Sequence, residues 1–579
     1  MSDLKTSLEN RAVERLYAER RDFIIIGLTG RTGCGCTTVG KLLSKELKAL
    51  QPPCPHRTDS ISERSDKIIY DFSQNWKAFH LIEMKHVIFT FILDNPFDKL
   101  IEFVRQFGDT ADLLSFEETY TKLHQERLRL KKIVADCTDI GENVPNDEDL
   151  YTFYFKTVPN EYGAFQKCFN HRGTYTKVFQ KIGNNIRASG QAFSSEIYPD
   201  NILKLAQRVN LLIKILRRRN LETRGQVLVA IDAFRNPYEA TFFKDRYSAF
   251  YLFAINTIDS ERRNRLVKQG LSYKEITDLD KEEYPSLNNT IQDFYKINIE
   301  KTIELADIHI NNPDSESLSL SETKRQLIRY ISLIMHPGLV PPTPIEYCMQ
   351  AAYDSKLNSG CLSRQVGAVI SDENYNIIAT GWNSVPEGQI PCSLRSLESL
   401  VRDDYEDTDG MSVFERTDTE FKDFLRTKTA SVNFDLLHGR NCAYCFKDAY
   451  NAFTGKKNQV HTRAIHAEEM AFLQAAKIGN PPVKGGCLFT TASPCELCSK
   501  KAYHTGIKKI YYIDQYPGIS YKHILSCGKY APEMIPFSGA IGRAYTQLYT
   551  QIIPYKDELY MLLGLTFKKE KNESEKDKS

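Results

Sequence analysis

Two short segments constrain the fold and chemistry of this chain more than any other feature: HAE at residues 466–468 and PCELC at residues 494–498. Together they supply one imidazole, two thiols and a carboxylate. Three protein ligands of this kind leave one position of a tetrahedral Zn²⁺ ion open, and zinc lowers the pKa of water bound there towards neutrality. The segments therefore predict a hydrolytic zinc site with His466, Cys495 and Cys498 as ligands.

The spacing within the segments has a physical reason. Pro494 suits the first position of a helix, so Cys495 and Cys498 would share its first turn, where the helix N-terminus favours thiolates. The combination H-x-E with P-C-x-x-C is typical of zinc-dependent base and nucleoside deaminases. Glu468 is too close to His466 to be a second ligand on the same helical face. We therefore expect Glu468 to move a proton from water to the ring nitrogen and the departing amine.

A closed structural zinc site is the alternative interpretation of these segments. Such sites normally have a fourth Cys or His ligand, which neither segment supplies. A single C-x-x-C would be weak evidence for catalysis, whereas the complete set favours a catalytic centre.

The sequence around the two segments predicts a mixed α/β domain. Short apolar runs bounded by polar turns indicate strands, and the two segments themselves indicate helix starts. The expected order is ββαβαβ. It comprises strands at 366–370 and 377–381, a helix from His466, a strand at 486–491, a helix from Pro494 and a strand at 509–513.

This part of the chain resembles the deoxycytidylate branch of the cytidine and deoxycytidylate deaminase superfamily. The blocks VGAVI, TGWNSVPEG, HTRAIHAEE, TTASPCELC and HTGIKKIYY match that branch in order, within about residues 343–530. By this resemblance, Asn383 would bind the nucleoside sugar or base, and Ala467 and Ser493 would frame the pyrimidine. Arg364 would contact phosphate. The alternatives are that Asn383 holds a turn and that Arg364 is a solvated charge beside a strand.

A second C-x-x-C pair, Cys442 and Cys445, precedes the HAE segment, with Cys392 before it and His438 and His461 nearby. This grouping suits a closed structural zinc site, and deoxycytidylate deaminases carry an auxiliary zinc. The predicted ligands are Cys392, Cys442, Cys445 and His461, although the identity of the fourth ligand stays open. Buried free thiols are the alternative.

The N-terminal part carries a different motif. The run FIIIGL at 23–28 predicts a buried strand, and the glycine-rich TGRTGCGCTT at 29–38 leads into an apolar helix. This is the context of a P-loop, whose backbone N–H groups hold phosphates. Cysteine stands where the P-loop motif requires lysine, so we expect anion binding without phosphoryl transfer. The candidate phosphate-binding residues are Gly30, Arg31, Gly33, Gly35, Cys36 and Thr37.

A second apolar run, 227–231, ends at Asp232, which is placed to hold Mg²⁺ together with a bound nucleotide. Arg235 and the arginine-rich segment 262–265 follow. These pieces, in this order, resemble the nucleoside and dephospho-coenzyme-A kinase group of P-loop folds, in which a mobile lid carries arginines. Residues 50–220 would then be a large, mostly helical insertion. A solvated helix face is the alternative for the arginine cluster.

The motifs divide the 579 residues into two large α/β units joined near 336–342. We expect a P-loop NTPase or nucleotide-kinase-like domain over 20–335 and a cytidine-deaminase-like α/β/α domain over 343–555. The charged segment 566–579 should be a disordered tail.

Composition limits the partners and the cellular compartment expected for the chain. The formal net charge of +2 argues against broad nonspecific nucleic-acid binding. Fourteen cysteines beside a zinc pattern, without a signal peptide, favour a reducing cytoplasm over a disulfide framework. No apolar stretch approaches the ~20 residues that cross a bilayer, so no membrane association is expected.

Across nearly its whole length, the chain resembles the bacterial antiphage dCTP deaminases, which join a P-loop kinase-like domain to a deaminase domain. By this resemblance it would convert dCTP, dCMP or both into deoxyuridine nucleotides and deplete the dCTP pool of an infected cell. An inhibitory small RNA would hold it inactive. We also expect a homo-oligomer.

Two other functions stay open. A tRNA or mRNA base deaminase uses the same zinc chemistry on an unpaired base, but the near-neutral charge and the TGWN block count against it. An RNA-binding sensor with a vestigial zinc site would not be an enzyme, and the intact Glu468 counts against that function.

Overall fold

The computed structural model of the chain contains two compact units. The first comprises Met1–Pro341 together with Arg543–Ser579, and the second comprises Pro342–Gly542. The division at Pro341 falls in the proline-rich segment where the two domains were predicted to join. The structure describes residues 2–55, 60–108, 112–135, 147–169, 171–223, 225–285, 290–313, 319–404, 410–479, 483–514 and 523–564.

A parallel sheet forms the centre of the first unit. Its strands lie in the order β5-β4-β1-β3-β2, with β1 in the middle. Parallel strands are normally covered on both faces, and β3 is accordingly buried along its whole length. The strands are β1 (Phe23–Thr29), β2 (His80–Glu83), β3 (Val227–Asp232), β4 (Phe250–Asn256) and β5 (Ile308–Asn311).

Helices surround this sheet. They are α1 (Ser2–Asp22), α2 (Cys36–Leu43), α3 (Leu47–Leu50), α4 (Ile61–Phe72), α5 (Met84–Ile92), α6 (Phe97–Arg105), α7 (Glu117–Ala135), α8 (Glu148–Thr152), α9 (Val158–Lys167), α10 (Arg172–Ser189), α11 (Lys204–Thr223), α12 (Pro237–Arg246), α13 (Asp259–Lys268), α14 (Tyr273–Glu283), α15 (Gln292–Tyr295), α16 (Ile299–Glu304) and α17 (Ser319–Met335).

Residues 50–220, which the sequence predicts to be a mostly helical insertion, are mostly helical but are not separate from the sheet. They contribute the edge strand β2, which pairs with β3. Their buried side chains share one continuous apolar core with β1 and β3. Strand β2 could not be predicted because its four residues, HLIE, are too few and too polar to indicate a strand.

The second unit is built on a mixed sheet in the order β10-β9-β8-β6-β7. Strand β6 pairs antiparallel with β7 and β8, whereas β8, β9 and β10 are parallel. The structure therefore confirms the predicted strands and adds β10. The strands of this unit are β6 (Gly367–Ser371), β7 (Ile377–Trp382), β8 (Cys487–Ala492), β9 (Lys509–Asp514), β10 (Glu533–Pro536) and the two-residue β11 (Gly539–Ala540).

Helices cover both faces of this second sheet, which gives the predicted α/β/α layers. Val369 and Phe489 face a core shared with the first helix of the unit, and Leu488 and Ile510 face a core shared with the HAE helix. The alternation follows from the period of two in a strand. The helices are α18 (Pro344–Lys356), α19 (Leu397–Val401), α20 (Val413–Thr417), α21 (Thr419–Thr429), α22 (Phe446–Thr454), α23 (Ala467–Ile478) and α24 (Glu496–His504).

Helices α19 to α22 form a small lobe between β7 and α23, with an apolar core of its own around Leu400, Phe421 and Tyr444. Within the described ranges, no helix combines the length and the apolar character needed to cross a membrane.

The last two helices, α25 (Gly542–Tyr549) and α26 (Tyr555–Leu563), return to the first unit, so the second unit ends at residue 542 instead of the expected 555. Glu558 explains the return. The hydroxyl of Tyr17 donates a hydrogen bond to its Oε2 at 3.0 Å, and Nε2 of His336 lies 2.9 Å from its Oε1. The predicted tail at 566–579 lies outside the described residues.

Candidate functional site

The side chains of His466, Cys495 and Cys498 converge at one point in the second unit. Nδ1 of His466 lies 3.3 Å from Sγ of Cys495 and 3.4 Å from Sγ of Cys498. Usual Zn–N and Zn–S bond lengths in a tetrahedral site separate nitrogen and sulfur by about 3.6 Å, so the three donors fit a zinc ion. Within the part of the chain that the structure describes, this is the one group of three or more His, Cys, Asp or Glu side chains with ligand atoms this close together.

Two helix starts hold the three ligands. His466 is the N-cap of α23, and Cys495 is the N-cap of α24. The prediction placed Pro494 in the first turn, but the helix begins two residues later, because the extended Cys495 offers its carbonyl oxygen to the N–H of Ser499 at 2.8 Å. The two thiols still meet, since the side chain of an N-cap residue approaches the third helical residue, which here is Cys498.

Hydrogen bonds link the protonation states of the two thiols and the imidazole. Hydrogen bonds from the Cys498 thiol, from His466 and from the Cys498 backbone N–H lower the pKa of Cys495 to about 3. The contact with Cys495 raises the pKa of the Cys498 thiol and that of His466. Cys495 is therefore the thiolate of the pair, and a bound dipositive ion would also remove the proton of Cys498.

Glu468 lies in the first turn of α23 and is only 4% exposed. Burial raises the pKa of its carboxyl group, and the side chain of Cys498 lies beside that group. A carboxyl group with a raised pKa is suited to accept and return a proton near neutral pH. The neighbouring Glu469 has a different setting, because it forms an ion pair with Lys501 of α24.

Asn383 follows β7 and lies on a segment that borders the ligands. Its Oδ1 accepts a hydrogen bond from the backbone N–H of Val366 at 2.6 Å, which fixes the start of β6. The next residue, Ser384, forms a β-bridge with Ile465, immediately before His466. The amide oxygen of Asn383 thus holds the local backbone, as in the structural alternative stated above. Its amide NH₂ group can still donate a hydrogen bond to a ligand.

The other three residues predicted to contact the substrate lie at different distances from the ligands along the chain. Ala467 is fully buried, and its side chain contributes to the apolar core between α23 and the sheet. Ser493 is partly buried in the loop that leads from β8 to the ligand Cys495. Arg364 is partly buried in the segment before β6. Of these three, Ala467 directly follows His466 and Ser493 precedes Cys495 by two residues, whereas Arg364 is far from both in the chain.

Gly381 is a site residue that the sequence analysis missed. A Cβ atom there would lie 2.2 Å from the carbonyl oxygen of Ala467 and 2.5 Å from the backbone nitrogen of Ala471. Any side chain would therefore push α23, and with it Glu468, away from the sheet. Glycine inside a strand often marks such a close approach, but the approaching segment cannot be identified from sequence.

The four residues predicted to bind a second zinc do not gather at one point. A hydrogen bond from the Cys445 thiol lowers the pKa of Cys392 to about 6, so these two thiols are in contact. His461 instead lies edge-on to the ring of Tyr450, with 4.6 Å between centroids. Neither Cys442 nor His461 belongs to a three-ligand group among the described residues. The structure contains a thiol pair at this position.

A buried ion cluster connects the small lobe to the zinc-site segment. Arg395 and Glu415 are fully buried and paired with each other. Arg463, which precedes the HAE segment, pairs with the same carboxylate, and the hydroxyl of Tyr444 donates a hydrogen bond to it. The three charged side chains are in contact, but they are far apart in the sequence: Arg395, Glu415 and Arg463. No local sequence pattern could therefore indicate the cluster.

The predicted phosphate loop lies at the carboxyl end of β1, in the first unit. Gly33 and Gly35 have φ angles of 93° and 102°, which favour glycine. A Cβ atom at Gly35 would lie 2.2 Å from Nδ2 of Asn312. At the end of the adjacent strand, the buried carboxylate of Asp232 accepts a hydrogen bond from Thr37. Asp232 is therefore in contact with the first turn of the helix that follows the loop.

The arginines predicted for a mobile lid are engaged within the first unit. Arg262 is fully buried between Asp259 and Asp280 and donates to the carbonyl oxygen of Thr32 at 3.1 Å. Arg235 pairs with Glu283 at 2.8 Å. These contacts tie α13 and α14 to the loop, so neither the lid nor the alternative of a solvated face describes Arg262.

A cavity of about 650 Å³ opens at the phosphate loop. Gly30 precedes it, and Arg31, Gly33, Gly35, Cys36 and Thr37 line it. Six of its lining side chains are basic and one, Asp232, is acidic. Such a lining attracts an anionic ligand.

Comparison with known proteins agrees with the geometry of the second unit. Residues 342–514 match a family described as the cytidine and deoxycytidylate deaminase zinc-binding region. The chain is 31% identical over 168 residues to the deoxycytidylate deaminase of Enterobacteria phage T2, which covers 29% of this chain and 78% of that protein. It is 30% identical over 168 residues to the deoxycytidylate deaminase of Enterobacteria phage T4, covering 29% and 76%.

Among solved structures, the dCMP deaminase from the cyanophage S-TIM5, in complex with dCMP and dUMP, is 22% identical with a TM-score of 0.20. The alignment covers 33% of this chain and 95% of that one. The matched family region contains His466, Glu468, Cys495 and Cys498. Through the family match and the two phage relatives, the chain belongs to the deoxycytidylate deaminase family.

Proposed function

We propose that the second unit hydrolyses deoxycytidine nucleotides to deoxyuridine nucleotides and ammonia, with dCMP as a substrate. The observation that carries this proposal is the convergence of His466, Cys495 and Cys498 beside the buried Glu468. The phage T2 and T4 relatives, which are named deoxycytidylate deaminases, support dCMP.

The chemistry follows from the side chains present. His466, Cys495 and Cys498 would hold a zinc ion, which supplies an open coordination position and lowers the pKa of water there. Glu468 takes a proton from the attacking water and delivers it to the ring nitrogen of cytosine. It then passes a proton to the amino group, which leaves as ammonia. One water is consumed and one ammonia is released for each nucleotide.

Burial of Glu468 serves this proton transfer. A carboxylate in water is a weak base, whereas the raised pKa of Glu468 strengthens its affinity for the proton that it must carry. Gly381 contributes by letting α23 approach the sheet closely, which sets the position of Glu468 relative to the ligands.

The finer parts of the proposal follow the resemblance to antiphage deaminases. The chain would also accept dCTP, deplete the dCTP pool during phage infection and be inhibited by a small RNA. It would act in the cytoplasm as a homo-oligomer. The experiment that separates the substrates is incubation of the purified chain with dCMP, dCTP, CTP and a cytosine-containing RNA. We expect mass spectrometry to find dUMP from dCMP; conversion of the RNA alone would contradict the proposal.

For the first unit, we propose binding of a nucleotide or another phosphate-rich ligand without phosphoryl transfer. The basic cavity at the glycine loop supports binding, and cysteine in place of the loop lysine argues against transfer. Thr37 and Asp232 are in contact and would hold Mg²⁺ with the nucleotide.

The test for the first unit is calorimetric binding of ATP together with an assay for ATP turnover. We expect binding without turnover above the level of a Gly35→Asp variant. Absence of ATP binding, or turnover that Gly35→Asp removes, would contradict this part of the proposal.

A further inference from the structure

The cavity at the phosphate loop lacks the charge that such a loop ordinarily supplies. Cys36 occupies the position of the lysine, and burial raises the pKa of its thiol well above the usual value. The thiol is therefore uncharged at neutral pH and offers no attraction to phosphate. A ligand with several phosphates needs a cation from elsewhere in the chain.

Most of the basic side chains that line the cavity are already held in place. Arg172 lies at the exposed rim. Four other arginines have short contacts with partners in the first unit: Arg31 with Asp280 at 2.8 Å, Arg187 with Glu239 at 2.7 Å, Arg235 with Glu283 at 2.8 Å, and Arg265 with the carbonyl oxygen of Asn312 at 2.8 Å.

Lys85 is the lysine among the six basic side chains that line the cavity. It lies in the first turn of α5, and the helix residues Met84 and Ile88 line the same cavity. Its ammonium group pairs with Glu83 at 2.8 Å and lies 5.7 Å from the centroid of the Tyr162 ring, and its side chain is 33% exposed. A partly exposed ion pair on a flexible lysine is weak and can be exchanged for another anion.

The sheet register brings Lys85 close to the loop. Glu83, two residues before it, is the register partner of Asp232 on β3. Asp232 in turn accepts a hydrogen bond from Thr37, the residue after Cys36. Burial raises the pKa of Asp232, and the positive charge of Lys85 opposes that rise. The ammonium group of Lys85 is therefore close enough to the loop to affect an anion bound there.

We propose that Lys85 replaces the lysine missing at Cys36 and binds the phosphates of a nucleoside polyphosphate seated on the loop. The cavity also presents the aromatic rings of Tyr175 and Phe179, which suit a nucleobase. This inference rests on the proposed nucleotide binding by the first unit. It is independent of the zinc chemistry of the second unit.

The experiment measures binding of ATP and of inorganic tripolyphosphate to the full chain by calorimetry in the presence of Mg²⁺. Tripolyphosphate isolates the phosphate contacts from those of the base. Loss of one charge-assisted hydrogen bond should weaken the binding of both ligands to Lys85→Ala by about tenfold or more. Lys77→Ala removes an exposed lysine from the same segment, outside the cavity lining, and should bind both ligands like the unaltered chain.

Two further variants complete the test. In Lys85→Ala/Cys36→Lys, the lysine returns to the loop, and we expect binding to recover. If Lys85→Ala does not fold, as judged by thermal unfolding, Lys85→Arg and Lys85→Gln replace it. Arg should retain binding and Gln should lose it.

The outcomes distinguish this inference from the proposal on which it rests. Equal ATP binding by the unaltered chain and by Lys85→Ala would overturn the role of Lys85 and leave nucleotide binding intact. Equal weakening by Lys85→Ala and Lys77→Ala would overturn it as well, because the effect would then be one of general charge. Absence of ATP and tripolyphosphate binding by the unaltered chain would overturn both proposals.

Discussion

The two candidate sites place their motifs in the same way but differ in completeness. Each has its key residues where a strand leads into the N-terminus of a helix: Cys495 before α24 in the second unit and Gly35 before α2 in the first. The second unit has three converging metal ligands and a buried acid. The first retains the glycine geometry and the contact between Thr37 and Asp232, but not the lysine. The backbone geometry of a phosphate loop is thus present in this chain without the charged side chain of the motif.

The two sites also differ in the role of the acidic side chain beside each of them. Around the zinc-site candidates, Glu468 is buried and positioned by close backbone packing at Gly381. Around the phosphate loop, Glu283 accepts the N–H of Thr32 at 3.1 Å and pairs with Arg235, so a carboxylate already holds part of the loop. The first arrangement places an acid where it can transfer a proton, whereas the second holds the backbone of the loop in place.

The largest effect should come from removal of a metal ligand. Cys498→Ser replaces a thiolate with a hydroxyl group that binds zinc poorly, so zinc content and deamination of dCMP should both be lost. Elemental analysis and product formation measure the two quantities. Exposed Cys527, changed to Ser, is the matched control and should retain both. A Cys498→Ser protein with normal zinc content would show that the three converging side chains are not the ligands.

The next effect concerns the lobe beside the zinc site. Glu415→Ala leaves the buried Arg395 without its carboxylate partner, and such a loss typically costs about 3–5 kcal/mol of unfolding free energy. Glu420 is exposed in the first turn of α21, so Glu420→Ala should cost about 1 kcal/mol or less. Denaturant unfolding gives both values. Equal small losses would mean that the cluster does not stabilise the lobe.

A smaller effect should follow from a change in the phosphate loop. Gly35→Asp adds a negative charge, and its Cβ atom would contact Asn312 at 2.2 Å in a backbone conformation that favours glycine. We expect ATP binding to weaken by about tenfold or more, the cost of one charge-assisted contact. Zinc content should stay at the level of the unaltered chain. Unchanged ATP binding would indicate that the loop no longer contacts the ligand.

The smallest expected effect is a constant zinc content. Because Cys442 and His461 do not join a three-ligand group among the described residues, we expect one zinc per chain. Cys442→Ser should leave that ratio unchanged. Elemental analysis that finds two zinc ions per chain, reduced to one by Cys442→Ser, would instead support the auxiliary site that the sequence predicted.

Local patterns were sufficient to predict much of the second unit. The apolar runs of β6 to β9 and the HAE and PCELC segments are short-range signals, and the structure confirms the strands and brings the segments together. Strand β10, with its polar Glu533 and its Pro536, carries no comparable signal. The same holds for β2 in the first unit.

Contacts between residues that are distant in the sequence could not be predicted. Glu558 joins Tyr17 and His336 across the whole length of the chain, and Arg395 could have paired with many other acids. The sequence also could not show that Gly381 meets the backbone of Ala467. In each case the signal lies in a spatial neighbour, which no local window contains.

The most direct test of the account compares two adjacent acids. Glu468→Gln should retain zinc but form dUMP from dCMP about 10²–10⁴-fold more slowly, because general acid–base transfer typically contributes that factor. Glu469→Gln, which removes the partner of Lys501, should retain most of the rate. The rates are measured from product formation at equal zinc content. Turnover by Glu468→Gln at the rate of the unaltered chain would contradict the central claim that Glu468 carries the proton.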